Sequence, residues 1–161
     1  MTKGLVHVRI DDRLIHGQVA VYWCNAVNAT RIMVANDAMY ENDVQKAALR
    51  LVVPAGLKSS LLNIEKATKN LVSGKYEGQR VILVVRRPKD ILRMMDHGVE
   101  VQEINVGNLP ARDGTRNVKK SINVTDEEIK DFQELSRRGV KLTGKQVPDN
   151  ADDLMELINK L

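Results

Sequence analysis

Apolar positions along this chain follow two different periods. Short runs rich in Val, Ile and Leu at residues 6–10, 31–35, 57–62 and 81–85 predict strands. The run at 81–85 is the strongest, because all five of its positions are apolar, as expected of a strand covered on both faces. Residues 103–106 and 140–142 predict shorter strands, and 118–122 a further one near an edge. Between these runs the spacing lengthens to the three-and-four step of an amphipathic helix. Val19, Trp23, Ala26 and Val27 form one stripe, and Val44, Ala47, Ala48 and Leu51 the next. Ile64, Ala67, Leu71 and Val72 make a third, Ile91, Leu92 and Met95 a fourth, and Leu154, Leu157, Ile158 and Leu161 the last. Each stripe is expected to face the core.

Element ends carry their own chemistry. Pro88 suits a first helical turn, where it forgoes only an amide that has no partner there, and Gly98 suits the far end, where positive φ is needed. Thr125-Asp126-Glu127-Glu128 is a capping box ahead of Ile129, Phe132 and Leu135, and Gly139 closes that helix. Strands alternating with helices of this length predict an α/β fold: a three-layer, open twisted, mainly parallel sheet with helices on both faces. With no repeat, low-complexity tract or linker-like stretch, one domain is expected over residues 1–161.

Composition narrows the function. A 43% hydrophobic and 29% charged chain of 161 residues is globular, and its formal charge of +4 is mildly basic. Cys24 is the only cysteine, which excludes an internal disulfide and a cysteine-built zinc site; a buried apolar role is expected for it. No apolar run approaches the ~20 residues of a membrane-spanning helix, and the first residues lack a signal-peptide pattern, so the chain is expected to be cytoplasmic. Three Tyr, one Trp and one Phe make a thin platform for nucleic acid. Neither a phosphate-binding Gly-x-x-x-x-Gly-Lys loop nor a dinucleotide-binding Gly-x-Gly-x-x-Gly turn occurs, so no nucleotide cofactor is expected. His7, His16 and His97 are too scattered to suggest a metal.

In open α/β sheets ligands gather beyond the carboxyl ends of the strands. The first strand-to-helix turn reads Arg9-Ile10-Asp11-Asp12-Arg13-Leu14-Ile15-His16-Gly17-Gln18-Val19, with two carboxylates, an arginine and a histidine just before a helix start. Such a start offers backbone N–H groups without partners and a partial positive charge. Gly17 would let a bound group approach closely. His16 fits either a general base or a nucleophile that itself accepts the transferred group. The anion-friendly surroundings point to phosphate, with Arg13 gripping its oxygens and Asp11 or Asp12 fixing the imidazole tautomer. The plainer alternative has His16 as a polar helix-start residue and Arg13 merely paired with an aspartate.

Elsewhere, His7 is expected to be a core or face histidine, and His97 to complement a helix end. Arg9, on the same strand face as Asp11, is expected to pair with it as scaffold rather than to organise the site. Arg86 and Arg87 are expected on the same sheet edge as the His16 loop. Arg112, Arg116, Lys119 and Lys120 are mostly expected to be a solvated face, a minority of them serving to dock an acidic partner.

The segment His7-Val8-Arg9-Ile10-Asp11-Asp12-Arg13-Leu14-Ile15-His16-Gly17-Gln18-Val19 closely resembles the active-site segment of the IIB component in the mannose/fructose/sorbose family of the bacterial phosphoenolpyruvate-dependent sugar phosphotransferase system. Ala35-Asn36-Asp37, Val53-Pro54-Ala55-Gly56, Ile104-Asn105-Val106-Gly107-Asn108 and Leu135-Ser136-Arg137-Arg138-Gly139-Val140 resemble further landmarks in the family's order. The resemblance implies that His16 takes a phosphoryl group on its δ nitrogen from the phosphohistidine of a IIA partner. It then passes the group to a hexose-type sugar brought in by the membrane components IIC and IID. Arg13 and Asp11 carry over as its neighbours, and Gly17 and Gln18 as phosphate-binding or orienting positions. No metal or nucleotide cofactor is implied. Many members of the family fuse IIA and IIB; at this length a separate IIA protein is expected, meeting IIB transiently. Two other classes compete: a regulatory module that senses phosphate state through His16, and a small hydrolase, which lacks the nucleophile elbow it would need.

Overall fold

The structure, a computed structural model, describes residues 1–145 and 152–161. The elements run β1 (Leu5–Asp11), α1 (Gly17–Ala26), β2 (Arg31–Ala35), α2 (Asp37–Tyr40), α3 (Asp43–Leu51), β3 (Lys58–Leu62) and α4 (Ile64–Val72). They continue β4 (Val81–Val85), α5 (Pro88–Asp96), β5 (Glu103–Asn108), β6 (Arg116–Lys119), β7 (Ile122–Val124), α6 (Asp126–Arg137), β8 (Lys141–Thr143) and α7 (Leu154–Asn159).

Six strands form one sheet in the order β3-β2-β4-β1-β5-β8, and every neighbouring pair in it is parallel. Strand β1 lies centrally, with Ile10 opposite Val85 of β4 and Arg9 opposite Asn105 of β5. Successive side chains point to opposite faces, so β4 splits its five buried residues between two cores. Ile82 and Val84 join Ile32 and Val34 of β2 beneath Trp23 and Cys24 of α1, Met39 of α2 and Leu49 of α3. Leu83 and Val85 join Val8, Ile10, Met33 and Val106 beneath Ile64 and Leu71 of α4, Ile91 and Met94 of α5, and Phe132 and Leu135 of α6. The three layers are those expected from the periodicity. Helix ends follow the sequence signals too. Thr125 and Glu128 close their box reciprocally, at 3.1 and 2.9 Å, and Gly98 and Gly139 take φ of +106° and +88°.

Three local expectations are corrected. Residues 118–122 do not form one strand of the main sheet. The chain turns at Ser121, φ +67°, into an antiparallel β6–β7 ribbon. Helix α2 was not expected; it is four residues long, started by the Asn36 side chain accepting from Met39 N at 2.8 Å and held by the fully buried Met39. That helix also explains why the Val44, Ala47, Ala48 and Leu51 stripe faces outward. Met39 already covers this part of the sheet, so α3 seats only Leu49, leaving Val44 and Leu51 82% and 87% exposed.

Candidate active site

The loop between β1 and α1 lies at the carboxyl edge of the sheet's middle. Its backbone is tied to β5 through Asp12 N donating to Asn108 O at 2.8 Å. Leu14 takes φ +63°, a left-handed conformation that costs a leucine about 1 kcal/mol or more. This turn buries Leu14 and Ile15 under α1 and leaves Arg13 and His16 at the surface. Burial of the two apolar side chains, roughly 1.5–3 kcal/mol each, offsets the strain.

His16 is the N-cap residue of α1. Its carbonyl accepts from Ala20 N at 2.8 Å, but its imidazole makes no capping bond and is exposed. Helices α2, α3, α4 and α6 open on an Asn or Thr cap with an acidic residue in the first turn; α1 has neither a side-chain cap nor an acidic residue there. Its terminal N–H groups are therefore left open to an outside anion. Gly17, first in the helix, is not needed for positive φ, and among the described residues nothing lies within 4 Å of where its Cβ would be. Helix propensity alone disfavours glycine there; clear space beside His16 is what it provides. Gln18, the next residue, is exposed.

Asp11 is 1% exposed and lies between two arginines. Its Oδ1 accepts from Arg13 N at 3.0 Å and Arg13 Nε at 3.1 Å; its Oδ2 accepts from Arg13 Nη2 at 3.1 Å and from Arg9 Nε and Nη2 at 3.3 and 3.2 Å. Asp12 pairs with Arg87 Nη2 at 2.8 Å and Arg86 Nη2 at 3.5 Å, across the gap to the end of β4. The expectation that Asp11 or Asp12 orients the imidazole is therefore corrected: among the described contacts, neither carboxylate reaches His16. Guanidinium groups offer each carboxylate paired N–H donors and a full positive charge, which an imidazole cannot match.

Arg86 and Arg87 thus share the edge of the His16 loop, as expected. Of the residues considered for docking, Arg112 is held internally by Glu128 at 2.9 Å, Arg116 pairs with Asp126 and Lys119 with Asp153. His97 lies at the end of α5, with Nδ1 2.9 Å from Arg93 O. Cys24 is buried, and burial pushes its thiol up to about 11, leaving it unreactive. His7 stacks on Trp23 with ring centroids 4.5 Å apart, and burial, aided by the Arg9 charge, pulls it down to about 4. Sequence reasoning passed over Asn105 and Gly107 as site residues. Their sequence signal was membership of the Ile104–Asn108 landmark; that Asn105 stands opposite Arg9 emerges only from the strand pairing.

Residues 5–161 match the family described as PTS system sorbose subfamily IIB component. The chain belongs to that family. This IIB chain is 34% identical to the fructose-specific EIIB component of the PTS system of Bacillus subtilis, over 98% of both chains. It is 36% identical to the mannose-specific EIIAB component of Escherichia coli along its whole length, and spans half of that relative. Its fold superposes on the IIB domain of the sorbose permease from Klebsiella pneumoniae with a TM-score of 0.92, at 32% identity, covering 97% of this chain and 96% of that one. As a IIB component it is part of a sugar phosphotransferase. Among the described residues no helix is long and apolar enough to cross a membrane.

Proposed function

We propose that His16 of this IIB chain is the phosphoryl carrier, charged by the phosphohistidine of a IIA protein and discharged onto a hexose-type sugar entering through IIC and IID membrane components. In the first step a lone pair of the His16 imidazole forms an N–P bond while the donor's N–P bond breaks, the electron pair returning to the donor ring. In the second a sugar hydroxyl oxygen forms the O–P bond, His16 leaves with its pair, and the hydroxyl proton is released. Such transfers ask the protein chiefly for positioning and charge stabilisation. The observation that carries this reading is the exposed His16 imidazole, which makes no capping bond at the start of α1, with the Arg13 guanidinium locked by Asp11 in the same loop.

In this reading the chain works on the cytoplasmic side, touching the permease only during discharge. Relatives named for fructose and for mannose support a hexose-type sugar as the substrate of this chain. The test is incorporation of labelled phosphate from phosphoenolpyruvate through the general system proteins and a cognate IIA. The native chain takes up an acid-labile label and His16→Ala none. Equal labelling of His16→Ala, or an acid-stable label, refutes the reading.

A further inference from the structure

Arg9 is 4% exposed, deep for a charged side chain, and its contacts lead away from the core toward the site. Its Nε and Nη2 donate to Asp11 Oδ2, and its Nη1 to the side-chain oxygen of Asn105. Asn105, itself 1% exposed, is fixed from the far side: its Nδ2 donates to Thr143 Oγ1 at 3.2 Å and Lys145 O at 2.8 Å. The guanidinium occupies the space where a Cβ on residue 107 would stand, which a glycine alone leaves clear, and it lies 5.9 Å from the centre of the Trp23 ring. A single line of contacts therefore runs Thr143–Asn105–Arg9–Asp11–Arg13, from the β8 edge of the sheet to the loop that carries His16.

A scaffold needs one arginine for one aspartate. Here Asp11 serves two: Arg9 balances it in the buried pair, and Arg13 adds a second positive charge on the exposed side of the same carboxylate. An anion arriving at the loop would meet that surplus charge. Arg13 gives its Nε and Nη2 to Asp11, and its side chain remains 37% exposed, with the Nη1 side of the fork making no bond among the described contacts. Arg9 occupies Asp11 Oδ2 from beneath, so the carboxylate plane, and with it the direction of Arg13, is set by β5 and β8.

We propose that Arg9 and Asn105 are positioning residues for phosphoryl transfer, acting through Asp11 to aim the open edge of Arg13 at the phosphoryl group on His16. The inference rests on His16 being the carrier, and neither residue touches the phosphate. Loss of aim by a fraction of an ångström to about 1 Å is worth on the order of 10- to 100-fold in rate.

The experiment is a double-mutant cycle on single-turnover transfer from phosphorylated IIA at saturating donor. Asn105→Ala slows transfer about 10-fold or more in the native background and less than about 2-fold when Arg13 is already alanine. The donor concentration for half-maximal rate stays unchanged. Asn105→Asp, isosteric but drawing Arg9 away from Asp11, gives the same pattern and carries the test where the alanine variant does not fold. A second measurement needs no phosphate: the Arg13 Nε–H resonance, identified by its loss in Arg13→Ala, shifts toward that of a free arginine in the Asn105 variants. Equal slowing in both backgrounds, or an unmoved Arg13 resonance with an unchanged rate, overturns the proposal. If the native chain accepts no phosphoryl group at all, the carrier reading falls, while the resonance still reports whether the contact line orients Arg13.

Discussion

His7 makes the stability of this protein depend on pH in a way that can be isolated. Its ring lies against Trp23, its Nε2 is buried without a partner among the described residues, and Arg9 on the same face disfavours a second positive charge. Glu103, Lys141 and Lys145 share the cavity it borders. The pKa falls from its ordinary 6.5 to about 4. Below pH 6.5 the unfolded chain gains a proton that the folded chain refuses until about pH 4, so acid favours unfolding. Stability from this group is complete above pH 6.5 and is lost as the pH drops. The loss is about 2 kcal/mol near pH 5 and about 3 kcal/mol below both values. His7→Phe keeps an aromatic ring on Trp23, removes the titration and relieves the unbonded nitrogen, so it matches or exceeds the native stability at pH 7. Urea unfolding of both proteins between pH 7 and 5 reads the difference directly. The native curve drops by about 2 kcal/mol more than the variant's. Parallel curves would show that His7 titrates normally in the folded state, and the argument from its burial would fail.

Two further outcomes test the site and the packing. Arg13→Lys retains the charge but replaces a two-pronged grip on Asp11 with a single contact; transfer slows about 10- to 100-fold while the thermal midpoint moves by only a few degrees. Severe unfolding of that variant in a thermal melt would make Arg13 a structural residue. On α3, Leu51→Gln changes stability by less than about 0.5 kcal/mol, whereas Leu49→Ala costs about 2–5 kcal/mol in urea titration. The reverse ranking would restore the outward stripe to the core.

The layers were legible because β4 is an unbroken apolar run and α4, α5 and α6 each carry a periodic apolar pattern with caps that agree with it. Stripes failed where a neighbour decided the outcome. Nothing local to residues 43–51 announces that Met39, on a helix too short to show a period, already covers the sheet. The site loop was legible as a cluster of types: His16, Arg13, Asp11 and Gly17 stand together in the chain. Which partner each carboxylate chooses was not, because the competitors come from other elements. Arg86 and Arg87 lie at the end of β4, and Arg9 reaches Asp11 only because Asn105 and Gly107 on β5 leave it a groove. Strand alternation placed Arg9 beside Asp11; the step from neighbour to aiming device needs the third strand.

The neighbours of β1 in the sheet also set when the proposed His16 site is assembled during synthesis. Every ladder of the main sheet joins segments distant in the chain, and β1 is flanked by strands made some seventy to a hundred residues later. Asp12 and Arg9 find Asn108 and Asn105 only after residue 108 has left the ribosome. A nascent chain therefore displays the imidazole early but assembles its surroundings late, so a half-synthesised polypeptide would be a poor thief of phosphoryl groups from its finished relatives.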